Sequence, residues 1–221
     1  MWFAFFNPAV LVIIPVFLIY VTVHFYTYYL CNKYSSIALK GAFTGYETAN
    51  EMLLHNSVND ISIERERGFF VDKYDHHKKI LVLSHTTYDS NSVTATAIAA
   101  HEASHALQYM QHKHMRSLRL MLSTVHHLLL FILVFLTGIG FIFQNITALT
   151  IGLYTAIAFV LFNILSYFFE YRTNNIAVKE LRYSPGISVT DIESIKKVLK
   201  AVSVTYLTSP LVRIILELRH K

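Results

Sequence analysis

Residues 121–169 read MLSTVHHLLLFILVFLTGIGFIFQNITALTIGLYTAIAFVLFNILSYFF, and this stretch contains no Asp, Glu, Lys or Arg. A membrane-spanning helix needs about 20 consecutive, largely apolar residues, so the stretch is long enough for two. Its main polar break is Gln144-Asn145. We interpret that pair as a tight turn between antiparallel helices at about 121–142 and 147–168. The stretch therefore predicts a transmembrane hairpin over residues 120–169.

A second charge-free run, residues 1–32, opens the chain. It can hold one more span, at about 5–30. Aromatic residues cluster at both ends of this run, as they do where a helix crosses the two membrane interfaces. The run lacks a basic segment before it and is longer than the apolar core of a secretory signal. We therefore expect residues 1–32 to form an uncleaved N-terminal transmembrane anchor.

The charged residues indicate how the chain is oriented. Only 15% of the residues are charged, against about 25% in an ordinary soluble domain. All 19 Lys and Arg lie in segments 33–119 and 172–221, which three spans would place on the same side. The positive-inside rule makes that side the cytoplasm. Because the basic residues are scattered beside apolar runs, we expect a multi-pass plasma-membrane protein that contacts the lipid bilayer and no nucleic acid.

The polar segment between the predicted spans, residues 33–119, combines strand and helix patterns. Ile61-Ser62-Ile63 alternates apolar with polar residues, and residues 80–83 form a short apolar run, so we expect strands there. An Ala-rich helix at about 92–113 follows a group of good N-cap residues. The segment is therefore predicted to be a small α+β region.

After the hairpin, we expect the third membrane helix to continue through residues 170–182 on the cytoplasmic side. Ser184-Pro185-Gly186 breaks it. A last helix follows at about 190–218, and we expect it to lie at the interface or to pack on the bundle, because its uncharged part is too short to span.

The Ala-rich helix contains the HExxH motif His101-Glu102-Ala103-Ser104-His105. Residues four apart share a helix face, so both imidazoles can reach one point. Two histidines, a third protein ligand and a water make a catalytic zinc site, and an adjacent Glu can accept the proton of that water. Glu102 is the only charged residue within 98–107, which predicts a mostly buried helix. The motif thus predicts Zn²⁺ bound by His101 and His105, with Glu102 as the general base.

The third ligand has to come from elsewhere in the chain. Residues 108 and 111 are both Gln, which excludes the longer HExxHxxGxxH pattern. Glu170 is the best candidate, because it is the first carboxylate after the charge-free stretch and lies where the third span emerges on the motif's side. Glu180 is the reserve. The alternative for Glu170 is an interfacial ion pair with Arg172.

Two other functions compete with peptidase activity. A zinc-binding membrane scaffold or chaperone without proteolytic activity would have a closed site with four protein ligands, and the sequence offers no convincing fourth. A metal transporter would need several polar residues inside the spans, and His126-His127 alone is thin support. We expect those two histidines to be packed and hydrogen-bonded. The residues favour a membrane-bound zinc metallopeptidase that acts on peptides or membrane proteins.

The chain also resembles the YugP-type bacterial neutral zinc metallopeptidases, membrane relatives of the HtpX and CaaX prenyl proteases. The resemblance covers nearly the whole chain, and its main segments are Thr44–Ala49, Asp72–Asp75, Ala99–Glu102, His105–Gln108 and Glu170. It implies an endopeptidase of the gluzincin type, in which His101, His105 and Glu170 hold the zinc and Glu102 is the base.

Together these patterns predict a mainly α membrane protein with three transmembrane helices and a small α+β, zincin-like cytoplasmic domain. The predicted parts are the anchor (1–32), the catalytic region (33–119), the hairpin (120–169) and C-terminal helices that carry the third ligand (170–221).

The sequence departs from the family pattern in three places. Ser104 stands where Gly is expected, and His76-His77 replaces Pro-Arg. Arg172 and Asn174 follow Glu170 where small or acidic residues are usual. These positions concern the packing behind the zinc and the groups that orient its ligands, so we expect activity to be weak or tuned. The predicted ligands and base are intact.

Overall fold

A computed structural model of the protein describes residues 8–41, 43–68, 71–111 and 113–206. Over these residues the chain is mostly helical, with a small three-stranded sheet. The elements, in chain order, are α1 (Pro8–Ser35), α2 (Gly45–His55), β1 (Ser62–Glu66), β2 (Lys73–Asp75), β3 (Ile80–Ser84), α3 (His85–Tyr88), α4 (Val93–Gln111), α5 (Lys113–Ile142), α6 (Ile146–Leu181) and α7 (Val189–Tyr206).

Helix α4, which carries the HExxH motif, lies at the centre of the fold. It contacts every other helix as well as strands β2 and β3. Its alanines leave little volume between α4 and its neighbours, and Ala97, Ala99, Ala100 and Ala103 are fully buried. Alanine also has the highest intrinsic helix propensity, so the same residues favour the helix and permit its close packing. The prediction that the motif lies on a buried helix is confirmed.

The predicted hairpin consists of α5 and α6, which pack against each other. Gln144 adopts a left-handed conformation at φ 50°, and the Asn145 side chain accepts a hydrogen bond from Ala148 N at 3.0 Å. Asn145 therefore caps α6 and ends the turn. Each of the two helices contains a segment that is long and apolar enough to cross a membrane, Thr124–Ile142 in α5 and Ile146–Leu181 in α6. The helices and the turn predicted for this stretch are confirmed.

The N-terminal run forms helix α1, which bears many exposed apolar side chains. Phe17 is 62% exposed and Ile19 is 64% exposed. The candidate spans found among the described residues lie in α5 and α6. The third transmembrane helix, predicted at 5–30, therefore stays a prediction, and residues 1–7 lie outside the described part of the chain.

The strands predicted near residues 61–63 and 80–83 correspond to β1 and β3, and together with β2 they form a sheet in the order β1-β3-β2. The central strand, β3, pairs in parallel with β1 and antiparallel with β2. Its residues Leu81, Val82 and Leu83 are buried, which explains the apolar run in the sequence. Strand β2 is an edge strand, and it contacts α4.

Helix α2 is held against the segment that leads into α4. Thr44 and Glu47 form a capping box at its start. Gly45 N donates to Ser90 O at 2.9 Å. A Cβ on Gly45 would lie 2.1 Å from Thr87 O, so only glycine allows this approach. The contacts of Gly45 with Ser90 and Thr87 therefore fix the start of α2 beside the segment that leads into α4.

The C-terminal helices pack on both the motif helix and α1. Helix α6 runs to Leu181, beyond its charge-free part, as predicted, and a break at 182–188 precedes α7. The Thr27 hydroxyl donates to Ala201 O at 3.1 Å and so ties α1 to α7. Residues 207–218 of the predicted last helix lie outside the described residues. The division of the chain into four functional parts stays a prediction.

Candidate metal centre

Helices α4 and α6 bring three of the predicted site residues together. The Nε2 atoms of His101 and His105 lie 3.1 Å apart. Glu170 Oε2 lies 3.3 Å from the first nitrogen and 3.4 Å from the second. Both histidines are buried, and the Glu170 side chain is 12% exposed. Over the part of the chain that the structure describes, this is the one group of three or more His, Cys, Asp or Glu side chains placed to share a metal ion.

The spacing of these donor atoms suits a single zinc ion. Zinc binds His nitrogen and carboxylate oxygen at about 2.0–2.2 Å in tetrahedral geometry, which separates neighbouring donors by about 3.3–3.5 Å. The three observed separations, 3.1, 3.3 and 3.4 Å, are close to that value. The chemistry of the donors also fits, because imidazole and carboxylate are ordinary zinc ligands. Three such ligands leave one position for water or substrate.

Asn174, one helical turn beyond Glu170, orients His101. Its Nδ2 donates to Ser203 Oγ at 2.7 Å and to Leu199 O at 3.3 Å. These bonds direct Oδ1 at His101 Nδ1, which lies 3.0 Å away. Because an amide oxygen only accepts, Nδ1 must carry the proton, and the lone pair of His101 is on Nε2. That is the nitrogen facing His105 and Glu170, so Asn174 selects the tautomer that can bind metal.

The same face of α6 is fastened to α4 by a third contact. The Thr173 hydroxyl donates to Gln108 Oε1 at 3.2 Å, and Thr173 is buried. Glu170, Thr173 and Asn174 lie at spacing i, i+3 and i+4, so they share one face of the helix. The turn of α6 that follows Glu170 is therefore held to α4 by two side-chain contacts, which fixes the side of α6 that faces the histidines.

Glu102 points toward the edge of the sheet. Its side chain is buried, and Oε2 accepts a hydrogen bond from Tyr74 N in β2 at 3.0 Å. The start of β2 is held by Asp72, whose Oδ1 accepts from Ser84 N at 2.8 Å. Burial raises the pKa of the Asp72 carboxyl, and the nearby charge of Glu102 acts in the same direction. The outer edge of β2 therefore faces the general base that the motif predicts.

Aromatic side chains flank this edge of the metal centre. The ring of Tyr109, one turn after His105, lies 5.5 Å from Tyr74 and 5.4 Å from His76 between centroids. The His76 and Tyr109 rings are parallel within 3°. The unexpected histidine at position 76 is therefore packed against α4, beside the candidate site.

The other candidate residues lie elsewhere. Glu180 Oε2 bonds to His55 Nδ1 at 3.0 Å and to Asn56 Nδ2 at 3.1 Å, in a contact with α2 instead of with the motif histidines. The Arg172 side chain is exposed.

Two further positions singled out in the sequence lie inside the helices. The buried side chain of Ser104 donates to Ala100 O at 2.7 Å, so α4 accommodates a serine where glycine was expected. The packed role predicted for His126 and His127 holds for His126, which is buried and packs on Phe159, whereas His127 is exposed.

Two contacts of the site were not predicted from the sequence, the His101–Asn174 bond and the Tyr74–Glu102 bond. The first had a signal, because position 174 is one turn from position 170 on the same helix. The second depends on which edge of the sheet faces α4, and no local pattern reports that.

Comparison with known proteins agrees with this geometry. Residues 9–220 match the family described as "Putative neutral zinc metallopeptidase". The chain is 29% identical over 189 residues to "Putative membrane protease YugP" of Bacillus subtilis (strain 168), a match that covers 82% of this chain and 80% of that protein. No solved structure matches the chain.

Proposed function

The chain belongs to this neutral zinc metallopeptidase family, and on that premise we propose that it is a membrane-bound zinc-dependent endopeptidase of the gluzincin type. The observation that carries the proposal is the convergence of His101 Nε2, His105 Nε2 and Glu170 Oε2 within 3.4 Å of one another. Glu102 lies on the same buried helix, α4, as the two histidines.

Each residue of the site would have a separate task. His101, His105 and Glu170 would hold the zinc, which when bound lowers the pKa of its water to about 7 and polarises a peptide carbonyl. Glu102 would accept the proton of the attacking water and pass it to the departing amine. Glu102 is adjacent in sequence to His101, so its carboxylate would need no large movement to reach a water at the metal position. Tyr74 N keeps it in place before substrate arrives.

The outer edge of β2 is the proposed substrate platform. Tyr74 N points away from β3 and toward Glu102, so this edge runs beside the motif. An extended peptide can add to an exposed strand edge through backbone hydrogen bonds. Such binding places a peptide bond next to the metal centre and favours unfolded or extended segments of peptides and membrane proteins. Tyr109 and His76 would line the adjoining side-chain positions.

We infer further that the protein is a multi-pass plasma-membrane protein whose site faces the cytoplasm. The two candidate spans and the name of the Bacillus relative support a membrane location. The third span would be α1, whose exposed Phe17 and Ile19 suit contact with lipid. The one-sided distribution of all 19 basic residues supports the orientation.

The scaffold or chaperone alternative requires a closed zinc site. A structural site has four protein ligands. Across the described ranges, the donor group consists of His101, His105 and Glu170, without a fourth His, Cys, Asp or Glu. This composition favours an open, catalytic position.

The proposal can be tested with purified full-length protein in nanodiscs. Metal content should be about one zinc per chain, because one three-ligand site is present. Zinc removal by a chelator should abolish cleavage of an unfolded membrane-protein substrate, and zinc addition should restore it. Cleavage that persists after complete zinc removal would contradict the proposal. A broad screen of peptides and membrane proteins would favour the scaffold if the zinc-loaded protein bound some of them and cleaved none.

A further inference from the structure

A groove of about 610 Å³ lies between the C-terminal part of α6 and helix α7. Four cationic side chains line it. Lys179 lies in the last turn of α6 and Arg182 is the C-cap residue that follows it, and Lys196 and Lys200 come from α7. No Asp or Glu is among the described residues that line it. A concave surface with cations on two walls focuses positive potential and attracts an anion.

Most of this charge is not neutralised by neighbouring carboxylates. Lys196 Nζ contacts Glu193 Oε1 at 2.7 Å, in a pair that is well exposed at the rim. Lys179, Arg182 and Lys200 make no ion pair with any residue that the structure describes. The groove therefore keeps a net positive charge after its one ion pair is counted.

The groove opens where α6 leaves its charge-free stretch. Tyr167 and Tyr171 line the end that lies nearest to the proposed span. Tyrosine is enriched at the boundary between membrane and water, where its ring contacts lipid and its hydroxyl stays hydrated. Val178 and Leu199 add an apolar surface within the groove. In the topology proposed above, the tyrosine end of the groove would face the membrane interface on the side that carries the basic residues.

We propose that this groove binds the phosphate headgroup of an anionic phospholipid of the cytoplasmic leaflet. The proposal rests on the topology given above, and it does not depend on peptidase activity. Arg182 supplies planar donors that match phosphate oxygens, and the lysines supply point charges. Basic pockets between helices on the cytoplasmic side of a membrane suit such headgroups. Asn174 lines the groove and also holds His101, so the groove reaches a residue that orients a ligand of the candidate metal centre.

The test measures lipid binding by the full, zinc-loaded chain in phosphatidylcholine nanodiscs that contain a trace of fluorescent phosphatidylglycerol. The groove variant is Lys179→Gln combined with Lys200→Gln, one exposed lysine from each wall. Its matched control is Lys40→Gln combined with Lys78→Gln, two exposed lysines outside the groove with the same loss of charge. Zinc content and thermal unfolding confirm that both variants fold. Lys200→Gln alone replaces the double variant if that one does not fold.

The wild-type protein and the control should bind fluorescent phosphatidylglycerol more tightly than fluorescent phosphatidylcholine. The groove variant should bind it about 30-fold more weakly, since each basic side chain near an anionic surface contributes about 1 kcal/mol. Equal losses in both double variants would overturn the proposal, because binding would then follow surface charge alone. Displacement of the lipid by millimolar inorganic phosphate would also overturn it, because the groove would then serve a soluble phosphate. Neither readout uses proteolysis, so a failed peptidase assay leaves this result interpretable.

Discussion

Asn174 accepts a hydrogen bond from Nδ1 of His101 across 3.0 Å, and both side chains are buried. A flipped amide would lose the hydrogen bond that it donates to Leu199 O, because a backbone carbonyl only accepts. The imidazole is therefore held with its lone pair toward Glu170. This arrangement explains how the chain keeps a metal-ready histidine with an amide at a position where the family pattern led us to expect a small or acidic residue.

Asn174→Ala should weaken zinc binding by about 10–100-fold, the usual effect of losing a group that orients a metal ligand. Asn174→Asp should bind zinc within a few-fold of wild type, because a carboxylate still accepts from His101 and the Ser203 hydroxyl can rotate to donate to it. Competition with a chelator of known affinity measures both. Asn175→Ala, at the exposed neighbouring position, is the control. Equal affinities for the two alanine variants would show that the hydrogen bond does not support the metal.

Glu170→Ala should greatly reduce zinc content, whereas Glu180→Ala should leave it near one per chain. Glu170 contributes an oxygen within 3.4 Å of both histidine nitrogens, and Glu180 instead bonds to His55 and Asn56. Elemental analysis of the purified variants distinguishes the two. Zinc loss in Glu180→Ala with retention in Glu170→Ala would reverse the ligand assignment.

Gly45→Ala should destabilise the protein, because the new Cβ would lie 2.1 Å from Thr87 O. Overpacking typically costs about 1–3 kcal/mol, and a chain of this size loses about 2–4 °C in Tm per kcal/mol. Gly138→Ala is the matched control, since nothing lies within 4 Å of the added carbon. The Tm values of the two variants are measured by thermal unfolding in one common detergent. An unchanged Tm for Gly45→Ala would mean that α2 is not held against the Thr87 segment.

The proposed topology predicts opposite accessibility for two single cysteines in a Cys31→Ala background. Ile146→Cys lies beside the hairpin turn and spares the Asn145 cap, so a membrane-impermeant maleimide should label it in intact cells. Lys78→Cys, in the exposed turn between β2 and β3, should be labelled only after permeabilisation. Labelling of Lys78→Cys alone in intact cells would place the metal centre outside.

Much of the fold was accessible from the sequence because its signals are local. The charge-free stretch, the Gln144-Asn145 turn and the apolar run of β3 each predicted an element that the structure contains. The motif and the first carboxylate after the spans identified three residues that converge in space. The Tyr74–Glu102 contact was not accessible, because it depends on the packing of a three-residue edge strand against α4.

The central claim, zinc-dependent catalysis with Glu102 as the base, is tested most directly by the cleavage rate of Glu102→Gln with full zinc loading. The substitution keeps the size of the side chain and removes its basicity, and His101, His105 and Glu170 remain to hold the metal. Zinc content and folding should match the wild type. Loss of a positioned general base typically lowers the rate about 10²–10⁴-fold, so cleavage of an unfolded membrane-protein substrate should become undetectable while the substrate still binds. Cleavage by zinc-loaded Glu102→Gln at the wild-type rate would contradict the account.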